Sequence, residues 1–172
     1  METTPNRIDE IIKHAYDKGI RNAKTISPSS IVTAEWVRLK CQYGCDGYGR
    51  SLTCPPFSPE PSTTRRILDE YEMLILLHTP EDWSRLNDIA IDMEREVFLM
   101  GFHKAYAMGS GPCRYCDPCP LEYPCRQAEK ARASMEACGI DVYQTARNAG
   151  FQIEVAKDYD SPTNYFALLL VE

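Results

Sequence analysis

The sequence predicts an α+β fold in two layers. About four mainly antiparallel strands are backed by one long helix and several short ones, with two cysteine-rich metal loops at an edge of the sheet. Three observations predict it. The apolar runs Glu72–His78 (EMLILLH) and Tyr165–Val171 (YFALLLV) are bounded by turn residues and read as buried strands. Trp83, Leu86, Ile89, Ala90, Met93, Val97 and Met100 hold the three-and-four spacing of one long core-facing helix. Seven of the 8 cysteines fall in two segments too rich in Gly and Pro to be regular structure. At 172 residues the chain is read as a single metal-binding domain, 1–172, with cysteine loops at 41–56 and 111–125.

The elements follow in order. Asn6 is a candidate N-cap for a helix over 7–18, with Ile8, Ile11, Ile12 and Ala15 as its stripe and Gly19 as its stop. Residues 31–40 fit strand or short helix, and periodicity does not decide between them. A short helix is expected over 62–71, with Ser62 near its start. Thr79-Pro80-Glu81-Asp82 opens the long helix with a Thr cap, Pro in the first turn and acids facing the helix dipole. That helix is expected to reach about 103. Residues 104–109 read as a strand, 127–138 as a helix, and Asp141 as the cap of another helix ending at Gly150. Strands at 151–156 and 165–171 are expected to pair antiparallel across the KDYDSPT turn.

The bulk composition removes several function classes. With 44% hydrophobic residues the chain can bury a proper core without disulfides. A net charge of -6 and the lack of any Lys/Arg run argue against nucleic acid or an anionic membrane surface as partner. No segment approaches the roughly 18 apolar residues of a spanning helix, and the N-terminus lacks the apolar stretch of a signal peptide. A cytoplasmic location is expected, and in that reducing compartment clustered cysteines are metal ligands or catalytic groups more often than disulfides.

Cys113, Cys116, Cys119 and Cys125 are spaced C-x2-C-x2-C-x5-C. Structural zinc draws two C-x2-4-C knuckles from separate parts of a chain, whereas successive C-x2-C steps wrap a larger object, as in bacterial ferredoxins. A [4Fe–4S] cluster is the favoured occupant and zinc the alternative. Pro118, Pro120 and Pro124 restrict this loop to extended and turn conformations. Cys41, Cys45 and Cys54 form the first set in the chain, of three thiols spaced C-x3-C-x8-C, among Gly44, Gly47 and Gly49. The glycines allow a close backbone approach to a metal centre. A phosphate-loop reading of the same stretch lacks the Lys-Ser/Thr and the following helix that it needs.

Cys138 decides what the first set means. As a fourth ligand it would complete two four-iron clusters; as a small buried residue beside Met135, Ala137 and Ile140 it would leave one site open. His14, His78 and His103 are weaker ligand candidates. Tyr43, Tyr48, Phe57, Tyr115 and Tyr123 flank the loops as candidate water shields, and Arg50 and Arg126 as candidate counter-charges. No Ser/His/Asp set, carboxylate pair or dinucleotide fingerprint stands out, so whether the chain is an enzyme stays open.

The stretches CQYGCDGYGRSLTCPPFSPEP and GSGPCRYCDPCPLEYPCRQAEKARASMEACGIDVYQTARNAG resemble the family of predicted metal-binding proteins known as DUF2284. The likeness covers about residues 36–171. It implies a small cysteine-rich protein of mostly anaerobic bacteria and archaea that binds iron–sulfur clusters. Its ligands would map onto Cys41, Cys45, Cys54, Cys113, Cys116, Cys119 and Cys125. Three functions remain in play. The first is a redox or electron-transfer accessory with one or two [4Fe–4S] clusters, docking on a redox partner protein or a larger enzyme complex, with a homo-oligomer also allowed. The second is an enzyme with an open-site cluster at Cys41, Cys45 and Cys54. The third is a zinc-stabilised adaptor.

Overall fold

Leu74–Thr79 (β2) lies between Asn22–Ile26 (β1) and Tyr165–Leu170 (β4), and Tyr106–Met108 (β3) closes the other edge. All three pairings are antiparallel, with Leu74 opposite Leu170 and Thr79 opposite Tyr165 in the central pair. The computed structural model describes residues 4–158 and 160–172, the side chains of 4–6 excepted. The helices are α1 (Thr4–Asp17), α2 (Trp36–Gly44), α3 (Pro61–Leu68), α4 (Trp83–Leu99) and α5 (Val142–Asn148). The fold is α+β with four antiparallel strands, as the sequence indicates.

Every residue of β2 is buried, and the pleat divides its side chains between two cores. Ile75, Leu77, Ala167 and Leu169 face α1 and α4, meeting Ile11, Ala15, Leu86, Ala90, Met93 and Val97. These helix and strand layers are the two that the periodicity predicts. The opposite face of the sheet is covered as well. Leu74, Leu76, Leu168 and Leu170 meet Leu68 of α3, Ala146 of α5 and the segment Met135–Ile140. That second core supports the cysteine loops.

Several elements differ from expectation, each for a visible reason. The long helix is capped by Asp82, whose carboxylate accepts from the Ser84 and Arg85 N–H groups at 2.8 and 3.3 Å, not by Thr79. It stops at Leu99 because Gly101 takes φ +97°, open to glycine, and the Phe102 N–H returns to the Val97 carbonyl. Residues 127–138 are turns followed by a short 3-10 helix, Glu136–Cys138, not an α-helix. Here Gly109 donates to Ala133 O and accepts from Met135 N–H, so this backbone bonds alongside the end of β3. Residues 151–156 form no strand: Phe151 packs against His78 and Phe166, and β4 pairs with β2 and β3 instead.

The ambiguous 31–40 stretch resolves into a bridge, Thr33 to Ile140, and then α2, which carries Cys41 in its last turn. Cys41–Gly44 is therefore helical where irregular chain was expected. β1 was not foreseen. The first helix already includes Asn6, whose side chain lies outside the described residues, as does Tyr159 of the expected 157–163 turn. Asp141 caps α5 by accepting from the Gln144 N–H at 2.9 Å, as read. Among the described residues no helix is long and apolar enough to cross a membrane.

Candidate metal centre

α2 is fastened to the segment beyond Cys54 by one arginine. The Arg38 guanidinium donates to the Ser58 hydroxyl and carbonyl, both at 3.2 Å, and to the Pro59 carbonyl. The Ser58 hydroxyl in turn donates to Ala137 O at 2.5 Å, and the Thr64 hydroxyl of α3 to Cys138 O at 2.7 Å. These bonds hold three separate parts of the chain as one wall. Within it the Cys41 thiol points at the Glu136 carbonyl at 4.0 Å. Cys54 sits in a turn, its carbonyl accepting from the Phe57 and Ser58 N–H groups, and is buried, whereas Cys45 is exposed.

Gly47 is the hinge of this set. Its N–H donates to Cys45 Sγ at 3.4 Å, and a Cβ placed on it would lie 3.2 Å from Cys54 Sγ and 3.5 Å from Cys45 Sγ. The same position lies 3.8 Å from Pro112 Cβ, so the two cysteine loops meet here. Burial raises the Cys54 thiol pKa; the Thr53 hydroxyl lowers it, and the thiols of Cys45, Cys41 and Cys113 raise it further. Burial likewise raises Cys41, followed by Cys45, with the Arg38 charge acting the other way.

The second loop hangs from α4. Asn87 clamps Ser110 in both directions, its Nδ2 donating to Ser110 O at 2.7 Å and its Oδ1 accepting from Ser110 N–H at 2.6 Å. Gly111 follows at φ +68° with the Trp83 ring against its α-carbon, where a Cβ would meet the ring at 3.0 Å. Asp88 accepts from Arg114 Nη2 at 2.6 Å and from the Tyr115 hydroxyl at 2.9 Å. Burial and that carboxylate push the Tyr115 phenol up to about 12. On the far side of the loop, Arg132 makes a two-pronged pair with Glu94 at 2.8 and 2.6 Å. Glu94 also accepts from Ala107 N–H of β3. All four cysteines are half-buried. Burial raises the Cys113 thiol, the Tyr115 N–H lowers it, and the thiols of Cys125, Cys119 and Cys116 act on it in the raising direction.

Cys138 is 2% exposed and packs in the second core with Met135 and Ile140. Burial pushes its thiol up to about 12. The histidines lie elsewhere. His14 pairs with Glu96 at the surface and His103 is exposed. The His78 ring nitrogens are within hydrogen-bond reach of Asn22 at 3.0 Å and Asn164 at 2.8 Å. Tyr43 and Tyr123 are 80% and 72% exposed, so they do not screen the thiols as expected. Arg126 pairs with Glu122.

Cys41, Cys45 and Cys54 line a cleft of about 690 Å³ between α2, the 134–143 segment and residues 153–156 and 162–166. Trp36, Tyr48, Trp83 and Phe166 share its wall. Among the described residues no three His, Cys, Asp or Glu side chains converge on a single-ion site. The donor set nevertheless fits a thiophilic centre: three thiols in one loop and four in the other, with the space beside two of them kept free by the missing Cβ of Gly47. Sequence reasoning missed Arg38, Asn87, Asp88 and the Glu94–Arg132 pair, which position the loops from a distance. It also passed over Glu136, whose only signal was its place between Ser134 and Cys138.

Comparison with curated proteins and with solved structures finds no match to the chain. A family model described as "Predicted metal-binding protein (DUF2284)" matches residues 24–171. That span takes in both cysteine loops, the cleft and every helix after the first: the chain belongs to the DUF2284 family of predicted metal-binding proteins.

Proposed function

We propose that this chain is an iron–sulfur protein with two unlike centres. Cys113, Cys116, Cys119 and Cys125 hold one [4Fe–4S] cluster, and Cys41, Cys45 and Cys54 hold a second whose fourth corner faces the cleft. One observation carries the reading: the three thiols of the first set line the cleft while Cys138 is in the core. The spacing supports iron over zinc, since successive C-x2-C steps suit a cubane. When bound, such a centre supplies single-electron transfer and a Lewis-acidic iron at the corner without a protein thiolate. The chain's own residues shape its surroundings. The Gly47 N–H donates to a ligand sulfur, Arg38 brings a positive charge near Cys41, and the Trp36 and Tyr48 side chains line the open side.

The electron-transfer accessory remains the second reading, favoured by the outer face of α2. Trp36, Leu39 and Tyr43 are 48%, 56% and 80% exposed at helical spacing, next to Cys41. A redox partner protein or larger enzyme complex docking there would sit across one helix from the first centre, in a reducing cytoplasm that keeps the cysteines as thiols.

Anaerobic iron and acid-labile sulfide determination tests both. Two cubanes give about eight irons and eight sulfides per chain. Cys138→Ala should keep all of them, while Cys45→Ala should lose one cluster. Equal loss from the two variants makes Cys138 a ligand and sinks the open site. A colourless protein with zinc and no sulfide makes it an adaptor.

A further inference from the structure

The cleft sorts its lining by charge and depth. Its buried lining residues, Val37, Ala137, Ile140, Ile153 and Phe166 among them, include no acid and no base beyond the thiol of Cys54. Lys40 and Glu154 are exposed at the rim. The Asp141 carboxylate is committed to the α5 cap, and the Glu136 Oε2 is closed off from solvent. Other polar groups of the wall are engaged as well. The Ser134 hydroxyl accepts from Ala137 N–H at 3.0 Å, the Thr163 hydroxyl donates to Pro80 O at 2.6 Å, and Asn164 Oδ1 lies 2.8 Å from His78 Nε2. A charged ligand group taken inside would lose its water and find no opposite charge there. Six aromatic side chains line the same space: Trp36, Tyr48, Trp83, Tyr143, Tyr165 and Phe166. Three are phenols, which can donate a hydrogen bond without bringing a charge. The volume, about 690 Å³, suits a small organic molecule, and such apolar walls with few polar groups are the usual make-up of its sites.

We propose that the cleft binds an uncharged aromatic small molecule that carries a hydrogen-bond acceptor such as a carbonyl. Its rings take the place of water against the apolar floor and the indole and phenol rings, where stacking adds to the burial of surface. Its acceptor meets a phenol hydroxyl. An acid or an amine with the same rings has the same surface to bury but must also give up part of its hydration, and the side chains that could compensate it stand at the rim. The inference goes beyond the open-site reading and does not need it: the wall recognises the ligand, not the iron.

The test is calorimetric titration of the anaerobically reconstituted full chain with 2-acetylnaphthalene, 2-naphthoate and 2-naphthylmethylamine, which share one ring system and differ in charge. The neutral ketone should bind about ten-fold more tightly than either ion. Trp36 and Tyr143 are 48% and 37% exposed, so each can be cut back without opening the core. Trp36→Ala and Tyr143→Ala should each weaken the ketone by about five-fold and leave iron content unchanged. Leu99 is 72% exposed at the end of α4 and does not line the cleft, so Leu99→Ala should leave the affinity as it is. An acid or amine that binds as tightly as the ketone overturns the proposal, as does the absence of binding by all three. So does a ketone affinity that both wall variants leave unchanged, or that Leu99→Ala lowers as much as they do. Iron and sulfide measured on the same samples separate the two claims. Full iron without a preference for the ketone sinks the ligand alone, and that preference in a chain that retains no iron supports the ligand while sinking the cluster.

Discussion

Gly47 leaves the space beside the Cys54 sulfur empty: a Cβ there would come within 3.2 Å of Cys54 Sγ. Its φ lies outside the left-handed region, so the backbone would accept alanine. What alanine cannot do is share the space with two sulfurs and whatever they bind. Gly47→Ala should therefore fold normally, with a melting temperature within a few degrees of the parent, and lose roughly half of the iron, the share of one of two cubanes. Full iron retention would mean that the first set is not built around this approach.

Alkaline stability of the metal-free protein reports on Cys138. Its thiol is pushed from 9.0 up to about 12 by burial. In the unfolded chain it ionises near its ordinary value, so between pH 9.0 and about 12 the folded state holds the extra proton. Stability is fully present below the lower value and falls as pH rises, at a limiting slope of about 1.4 kcal/mol per pH unit for one proton. Denaturant titrations of the metal-free protein at increasing pH should show this limb, and Cys138→Ala should flatten it. An unchanged alkaline limb in the variant would take Cys138 out of the core account.

The Glu94–Arg132 pair makes a sharper demand on stability. Both side chains are 15% exposed, and Glu94 also accepts from the Ala107 N–H of β3. Arg132→Ala leaves a largely buried carboxylate with the amide alone, which should cost about 3 kcal/mol and lower the melting temperature by roughly 6–12 °C. Because the cost is an orphaned charge, the double variant Glu94→Leu with Arg132→Leu should recover most of it. Thermal denaturation of the three proteins decides this, and a double variant no better than the single one would refute the charge explanation.

The same pair shows what a one-dimensional reading could not reach. Residues 127–138 carry helical composition, yet Arg132 is drawn to α4 and the 133–135 backbone bonds to Gly109. Tertiary partners outweighed local propensity there. β1, NAKTI, has too little apolar alternation to be read as a strand; its identity comes from lying opposite β2. Phe151 looks like the start of a strand but serves as an aromatic plug against His78 and Phe166. The long helix, the two central strands and the Asp141 cap were legible because periodicity and capping are local properties. Cysteine spacing marked the two loops, but not that Pro112 of one would lie beside Gly47 of the other, nor that Glu136 would line a cleft.

The tether between Asp88 and the second loop separates local order from global stability. Asp88 is on the exposed side of α4 and holds Arg114 at 2.6 Å and the Tyr115 hydroxyl at 2.9 Å, the two residues inside the first step of C-x2-C-x2-C. Exposed pairs of this kind contribute at most about 1 kcal/mol, so Asp88→Ala should move the melting temperature by no more than roughly 4 °C. The loop itself should loosen, because Cys113 and Cys116 flank the two residues that Asp88 fixes. Iron bound by the second set should then be released faster to a chelator than in the parent, with the first set unaffected. Measuring release in a Cys45→Ala background isolates the second set, since that variant is expected to carry no first cluster. Tyr115→Phe, which removes one of the two bonds and keeps the ring, should fall between parent and Asp88→Ala. If all three release iron at one rate, the loop is held by its prolines and the Asn87 clamp on Ser110, and the Asp88 tether has no part in retaining the metal.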